Sequence, residues 1–287
     1  MKYATMKTLG TNGRFANQLF QYAFLRFYAK RIGVNLETPA WEGQKIFGHA
    51  EPAISRDLPA ARIHGRADWA AICEAYPSGN VDFWGYFQET AYYVDDKTFF
   101  RSLFIPCRES ELIRDWAAFA GERGRPVIGV HLRYGDYGYG NFYETPIGWV
   151  RDVLEQEWDG LDEPLLYVAT DDHRAVKLLK RYNPVTWQYF SVEAYPAYYY
   201  DFWALSRVNH MLIASNSSFS FAAAMLNETC STFMRPSLSA HKLIPFDPWI
   251  SPVLLSDSTP WLNFLSRCPC LRRIYNFIRR AIFFRNL

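Results

Sequence analysis

The sequence predicts an α/β protein: two Rossmann-like halves facing a cleft, the C-terminal half a mostly parallel sheet. Three observations lead there. Short apolar, β-branched runs alternate with amphipathic stretches of helical length, the pattern of βαβ units and of the parallel sheets they build. Of the 287 residues, 49% are hydrophobic and 18% aromatic, which supplies a large core and excludes general disorder. Finally, three runs in the second half end in polar clusters, as strands do where a parallel sheet points at a ligand crevice.

Taken in order, Tyr3 to Leu9 reads as a short strand and Gly10-Thr11-Asn12-Gly13 as a turn. Asn17 to Arg31 follows as a helix, with Leu19, Tyr22, Ala23 and Phe27 close to helical spacing. Residues 37–80 hold several Pro and Gly and read as irregular structure with short helices. Val81 to Phe87 alternates like a strand, and Glu109 to Arg123 reads as a helix. The Gly-Glu-Arg-Gly-Arg-Pro stretch from Gly121 breaks the pattern, so a domain boundary is placed at 124/125. Beyond it the strand candidates are Val127–Leu132, Leu165–Ala169, Trp187–Phe190, Met211–Ala214 and Thr232–Met234. The helices between them are Ile147–Glu157, Arg174–Arg181, Tyr200–Arg207 and Phe219–Leu226. This gives an N-terminal domain over 1–124, a second over 125–257 and a tail over 258–287.

A net charge of +2 excludes the broad basic footprint of a nucleic-acid protein. The charge is unevenly placed. From Ser258 onward there is no Asp or Glu, while Arg267, Arg272, Arg273, Arg279, Arg280 and Arg285 give +6. The body keeps 25 of the 31 basic residues against all 29 acidic ones, or −4. In the tail, Leu271, Ile274, Ile278 and Ile282 recur at helical spacing beside Phe277, Phe283 and Phe284. A basic amphipathic helix suits an anionic membrane surface; the alternative is a helix packed on the body with its arginines in water. The membrane-surface reading, through residues 267–287, is preferred. The start, Met1-Lys2-Tyr3-Ala4-Thr5, lacks the apolar run of a signal peptide, and no stretch approaches a membrane span. Five cysteines form an odd set, and Cys268-Pro269-Cys270 has one intervening residue where zinc sites have two or more. Reduced thiols in a cytoplasm are therefore expected, with peripheral contact at the inner face of the plasma membrane.

The chemistry gathers at the strand ends. Val127 to Leu132 runs through His131 into Arg133-Tyr134-Gly135-Asp136. Arg133 offers a planar, permanently charged fork suited to phosphate; equally, the strand simply stops and exposes polar residues. After Met211–Ala214 comes Ser215-Asn216-Ser217-Ser218-Phe219-Ser220, opening a helix whose N-terminus favours phosphate, although Ser and Asn cap helices routinely. After Leu165–Ala169 comes Thr170-Asp171-Asp172. Paired carboxylates suit Mg²⁺, yet adjacent residues of a strand point to opposite faces, which disfavours joint coordination; either can cap the helix from Arg174. Asp201 is read as the start of a helix within Tyr198–Trp203, its carboxylate either pairing with guanine N1 and the exocyclic amine or capping. Gly13-Arg14-Phe15-Ala16-Asn17 has neither G-x-G-x-x-G nor P-loop spacing, and no G-x-S-x-G or H-E-x-x-H occurs.

Five stretches in order carry a resemblance. They are Asn17-Gln18-Leu19-Phe20-Gln21-Tyr22-Ala23-Phe24, Gly85-Tyr86-Phe87-Gln88, His131-Leu132-Arg133-x-Gly135-Asp136, Thr170-Asp171-Asp172 and Asn216-Ser217-Ser218-Phe219-Ser220. Over about residues 7–250 the chain resembles the α-1,2-fucosyltransferases of glycosyltransferase family 11, in the superfamily that includes α-1,6- and protein O-fucosyltransferases. The resemblance implies a GT-B-like fold and an inverting, metal-independent transfer of fucose from GDP-fucose to a hydroxyl, the galactose 2-OH, of a glycan such as a surface polysaccharide. It implies no resident cofactor, and GDP-sugar and glycan as partners. By it, Arg133 contacts the β-phosphate, with His131 and Asp136 of the same motif in the catalytic set. Asp136 is the first candidate for the acceptor base and Glu144 the second; Asp136 equally serves to hold Arg133. Ser217, Ser218 and Phe219 line the phosphate site, Asp201 meets guanine, Asp171 and Asp172 the nucleotide-sugar pocket, and Asn17 faces the cleft from the N-terminal domain. The chain departs from the family's H-x-R-R-G-D at Tyr134, and from its Gly-x-Gly-Asn turn at Phe15-Ala16-Asn17. Two rival readings are a transferase of another GDP-sugar and a non-catalytic glycan- or nucleotide-binding module; intact Arg133 and the 216–220 turn argue against the module.

Overall fold

The computed structural model of the chain describes residues 1–63, 68–121, 124–190, 194–268, 270–275 and 278. The strands are β1 (Tyr3–Thr5), β2 (Asn35–Glu37), β3 (Ala60–Arg62), β4 (Val81–Trp84), β5 (Val127–Leu132), β6 (Leu165–Thr170), β7 (Met211–Ile213), β8 (Thr232–Ser237) and β9 (Lys242–Pro245). The helices are α1 (Phe15–Ile32), α2 (Glu42–Phe47), α3 (Trp69–Ala75), α4 (Lys97–Ser102), α5 (Glu109–Ala120), α6 (Ile147–Glu157), α7 (Arg174–Lys177), α8 (Ala197–Leu205), α9 (Ser218–Leu226) and α10 (Pro260–Arg267). The chain forms two compact units, Met1–Glu109 with Trp249–Val253, and Ser110–Pro248 with Leu254–Leu287.

The first unit carries a parallel sheet in the order β2-β1-β4-β3. Its main helix, α1, is buried around nearly its whole circumference, as a helix apolar on all sides must be. Two of its buried residues are polar, and their amides turn onto the preceding loop. Gln21 Nε2 donates to the Asn12 carbonyl at 2.8 Å, and Gln18 Nε2 reaches the carbonyls of Gly10 and Gly13 at 3.4 Å each. That loop passes through Gly13 at φ +90°, where a Cβ would lie 2.3 Å from Asn17 Nδ2. Gly13 thus supplies the backbone freedom that Phe15-Ala16 lacks.

The second unit carries the larger sheet, β6-β5-β7-β8 parallel with β9 antiparallel at the edge. All six residues of β5 are buried, as expected of a strand covered on both faces. Ile128, Val130 and Leu132 join Leu166 and Val168 against Ile147, Val150 and Leu154 of α6. Strand alternation sends Gly129 and His131 to the opposite face, where the His131 ring meets Phe219 of α9 at 5.1 Å. Helix α5 packs in this unit because Trp116 lies 6.2 Å from Tyr167 and 6.0 Å from Trp203, and Phe119 lies 6.3 Å from Tyr167. The second compact unit begins at Ser110, the second residue of α5.

Several sequence expectations need correcting. Trp187–Tyr189 is a 3₁₀ turn and not a strand; pairing is limited to a single parallel bridge of Val185 to Tyr167. The apolar run there supplies aromatic packing, Phe190 stacking on Tyr200 at 5.2 Å. The helix expected over 174–181 stops at Lys177, followed by a 3₁₀ turn over Lys180–Tyr182 that ends at Asn183 with φ +48°. Helix α8 starts at Ala197 after Pro196, so Asp201 sits inside it and caps nothing. β2, β3 and β9 span three or four residues each, too few to show a period.

Candidate functional site

The parallel register brings three strand ends together in the second unit. Leu132 of β5 pairs with Thr170 of β6, and Val130 with Ile213 of β7, so Arg133, Asp171 and Ser215 emerge side by side. Ser215 ties two of the ends: its hydroxyl donates to the His131 carbonyl at 2.7 Å and accepts from the Arg133 N–H at 3.1 Å.

Arg133 is the centre of the cluster. Its Nε donates to Asp136 Oδ1 at 2.9 Å and Nη2 approaches the same oxygen at 2.7 Å. Its Nη1 pairs with Asp171 Oδ2 at 3.0 Å. The Asp136 side chain is 47% exposed and that of Asp171 23%. Asp171 is also held from behind, since its Oδ1 accepts the Tyr134 N–H at 2.8 Å. Gly135 makes this approach possible, because a Cβ there would stand 2.5 Å from Asp171 Oδ2.

Tyr134 faces the other way. It is buried among Ile128, Val130, Leu132 and Ile147, and its hydroxyl donates to the Thr145 carbonyl at 3.0 Å. The position where the family pattern carries a second arginine is therefore a core position in this chain, on the sheet face away from Arg133.

His131 is buried, with Nδ1 hydrogen-bonded to Ser220 Oγ at 3.0 Å. Burial pushes its pKa down to about 4, against a smaller upward pull from Asp171, so the ring is neutral at pH 7 and ties β5 to α9. Ser217 is the N-cap of α9 and its hydroxyl accepts from the Phe219 N–H at 3.3 Å. Capping and ligand binding are compatible here, because the helix dipole remains directed at the strand ends. Asn216 is fully buried, donating to the carbonyls of Asn141 at 2.7 Å and Leu255 at 3.0 Å and accepting from the Leu255 N–H at 2.8 Å.

The adjacent carboxylates divide as strand geometry requires. Asp171 turns to Arg133, while Asp172 accepts from the Arg174 N–H at 3.1 Å and pairs with its guanidinium at 2.6 Å. Asp201 lies deeper. It accepts from the Tyr167 hydroxyl at 2.9 Å, at the level of Gly129 in the register, and burial pushes its carboxyl up to about 7. This places it in the packing between β6 and α8. Glu144 is half-buried.

Sequence reasoning placed Ser215, Ser220 and Gly135 in the strand-end motifs without giving them a role, and it missed Tyr137, whose ring centroid lies 5.8 Å below the Arg133 guanidinium carbon. Burial pushes the Tyr137 hydroxyl up to about 12. In the first unit, Asn17 stands in the first turn of α1 and its Oδ1 accepts from Gln88 Nε2 at 2.6 Å; this joins two of the five resemblance stretches. Among the described residues, no group of three or more His, Cys, Asp and Glu forms a metal-binding set, and no helix is long and apolar enough to cross a membrane.

No protein-family model matches the chain, and no curated protein does. Solved structures do. NodZ, an α-1,6-fucosyltransferase, in a crystal soaked with GDP-fucose, aligns at a TM-score of 0.54 and 15% identity, over 86% of this chain and 99% of its own. The fucosyltransferase NodZ from Bradyrhizobium, in its selenomethionine form, gives 0.53 at 15% over 86% and 98%. A mutant of Arabidopsis thaliana FUT1 in complex with GDP gives 0.50 at 13% over 82% and 70%. The chain shares the fold of these structures. Its α/β class with parallel-dominated sheets, expected from the alternation of elements, matches these GT-B-like structures.

Proposed function

We propose that the chain is an inverting glycosyltransferase that moves fucose from GDP-fucose to a glycan hydroxyl, as a member of the α-1,2-fucosyltransferases, with the galactose 2-OH of a surface polysaccharide as acceptor. The observation that carries this reading is Arg133. It is a permanently charged fork at the end of a central parallel strand, steadied by two carboxylates and beside a helix N-terminus. The fold is shared with structures solved with GDP-fucose and with GDP.

As the bond from fucose C1 to the β-phosphate oxygen breaks, its electron pair stays with GDP and negative charge grows on the diphosphate. The Arg133 guanidinium and the N–H groups of α9 behind Ser217, Ser218 and Phe219 answer that charge. One fixed donor of this kind is worth about 10²–10³ in rate. Arg133 supplies the countercharge that a divalent metal brings to other transferases, so the reaction runs without added metal.

Both edges of the Arg133 fork engage carboxylates. In this reading the donor diphosphate takes the place of Asp136, the more exposed partner, while Asp171 stays under the Tyr134 N–H. The displaced Asp136 carboxylate then accepts the proton of the attacking acceptor hydroxyl. Its two candidate roles, holding Arg133 and acting as base, become successive states of one residue. His131, neutral and bound to Ser220, positions β5 against α9. Asp172 orders the turn into α7, and Asn17 presents the first turn of α1 on the acceptor side. Asp201 supports the packing of β6 and needs no guanine contact. The activity is placed in the cytoplasm, at the inner membrane face.

The test is release of GDP from GDP-fucose with galactose-terminated acceptors, with and without EDTA, beside an Arg133→Ala control. Turnover that survives EDTA and is lost in the control supports the reading. Turnover only with another GDP-sugar, or none from folded protein, overturns it.

A further inference from the structure

The tail takes no part in the chemistry above, yet it has a distinctive surface. Helix α10 is fixed to the second unit by one face. Thr259 caps it, accepting from the Leu262 N–H at 3.3 Å, and Pro260 opens its first turn. Leu262 and Leu265 are buried with Tyr143, and the Leu262 carbonyl accepts the Gly140 N–H at 2.8 Å. The helix is thus part of the folded body.

Its other face is apolar and open. Trp261 is 49% exposed and Phe264 45%, and their rings stack at 5.5 Å. Leu271, Ile274 and Ile278 are also about half exposed. Twelve large apolar side chains are exposed among the described residues, and these five lie within eighteen positions of one another. The densest exposed apolar patch therefore coincides with a stretch that has no carboxylate. Arg267 and Arg273 are exposed beside it, and the Arg272 guanidinium lies 4.0 Å over the Tyr139 ring.

Such a patch marks an interaction surface, and its charge selects the partner. The partner must be apolar beneath and anionic at its boundary. Bulky aliphatic residues alternating with arginine, and a Trp beside the body, match the interface of a bilayer carrying acidic headgroups. We infer that the face formed by Trp261, Phe264, Leu271, Ile274 and Ile278 docks this protein, in the plane of the interface, on an anionic lipid surface. The inference does not depend on the donor or acceptor of the transferase.

The full chain is floated with vesicles of phosphatidylcholine alone and with phosphatidylglycerol added, at low and high salt. The protein should float only with the anionic vesicles and be released by salt. Arg267→Gln with Arg273→Gln should weaken binding roughly thirty-fold, the worth of two interfacial charges. Trp261→Ser with Phe264→Ser should weaken it at least as much, with the circular dichroism spectrum, unfolding temperature and GDP affinity unchanged. Equal flotation with neutral vesicles, no flotation of folded wild type, or full binding by the Trp261/Phe264 variant would each overturn the inference. So would a concentration-dependent dimer that the same variant abolishes, which would give the face to a second copy of the chain. Failure of GDP binding in all variants and wild type would refute the transferase reading and leave this one standing.

Discussion

Placing an arginine at position 134, as the family pattern has it, separates motif reasoning from structural reasoning. By motif alone Tyr134→Arg adds a second cation to the phosphate site and should tighten GDP binding. By structure it inserts a charge among Ile128, Val130, Leu132 and Ile147, where Tyr134 is 3% exposed. A buried charge without a partner costs about 3–5 kcal/mol. Tyr134→Phe keeps the ring and removes only the hydrogen bond to the Thr145 carbonyl, so its cost is about 1–3 kcal/mol. At roughly 2–4 °C per kcal/mol for a domain of about this size, the Phe variant should melt roughly 2–12 °C below wild type, and the Arg variant roughly 6–20 °C below. Thermal unfolding by circular dichroism measures the first effect, and calorimetric titration with GDP below the transition the second. The reasoning expects the larger loss from Arg and no gain in GDP affinity from either. An Arg variant that melts with wild type and binds GDP about tenfold tighter would refute it, since a 1.4 kcal/mol gain requires position 134 to face the donor.

Three further outcomes follow from the site. Asp136→Asn should bind GDP at least as tightly as wild type, because the competing carboxylate is gone, while turnover falls about 10²-fold or more; weakened GDP binding with turnover retained would show that Asp136 is neither competitor nor base. Gly135→Ala should loosen the Asp171 contact with Arg133, since the new Cβ would start 2.5 Å from Asp171 Oδ2, and lower both unfolding temperature and GDP affinity; unchanged titrations would refute it. Asp201→Asn should change the pH dependence of stability. The folded carboxyl is pushed up to about 7 from 3.8, so its favourable contribution is complete below pH 3.8 and is lost as pH rises through 7. Urea unfolding at pH 5 and pH 8 should show wild type losing ground to the Asn variant at the higher pH, and parallel curves would contradict the raised value.

Much of the second unit was legible because its elements are long and their periods clean. Val127–Leu132 and Ile147–Glu157 match the structure residue for residue; a β-branched run bounded by Pro126 and a helix following Pro146 leave little choice of boundary. The gathering of Arg133, Asp171 and the Ser217 turn also follows from parallel order alone. What stayed hidden depends on register and side-chain direction. Nothing in Arg133-Tyr134 says which of the two enters the core; that is set by the pairing of Leu132 with Thr170. Asp201 reads from sequence as the start of a helix, yet Pro196 starts the helix earlier and carries the carboxyl inward. Trp187–Phe190 has the apolar, aromatic content of a strand, and Phe190 instead packs beside Tyr167 and Tyr200.

The Asn216 side chain has a wider reach than its place in the turn suggests. Three hydrogen bonds from one amide fasten the mouth of α9 to Asn141 and to Leu255, five residues ahead of Pro260. The backbone that enters α10 is thus latched to the same turn that would receive the diphosphate. Loosening one end withdraws support from the other, so the Leu255 amide is a built-in reporter, its hydrogen exchange registering at the chain's far end whatever steadies or disturbs the turn.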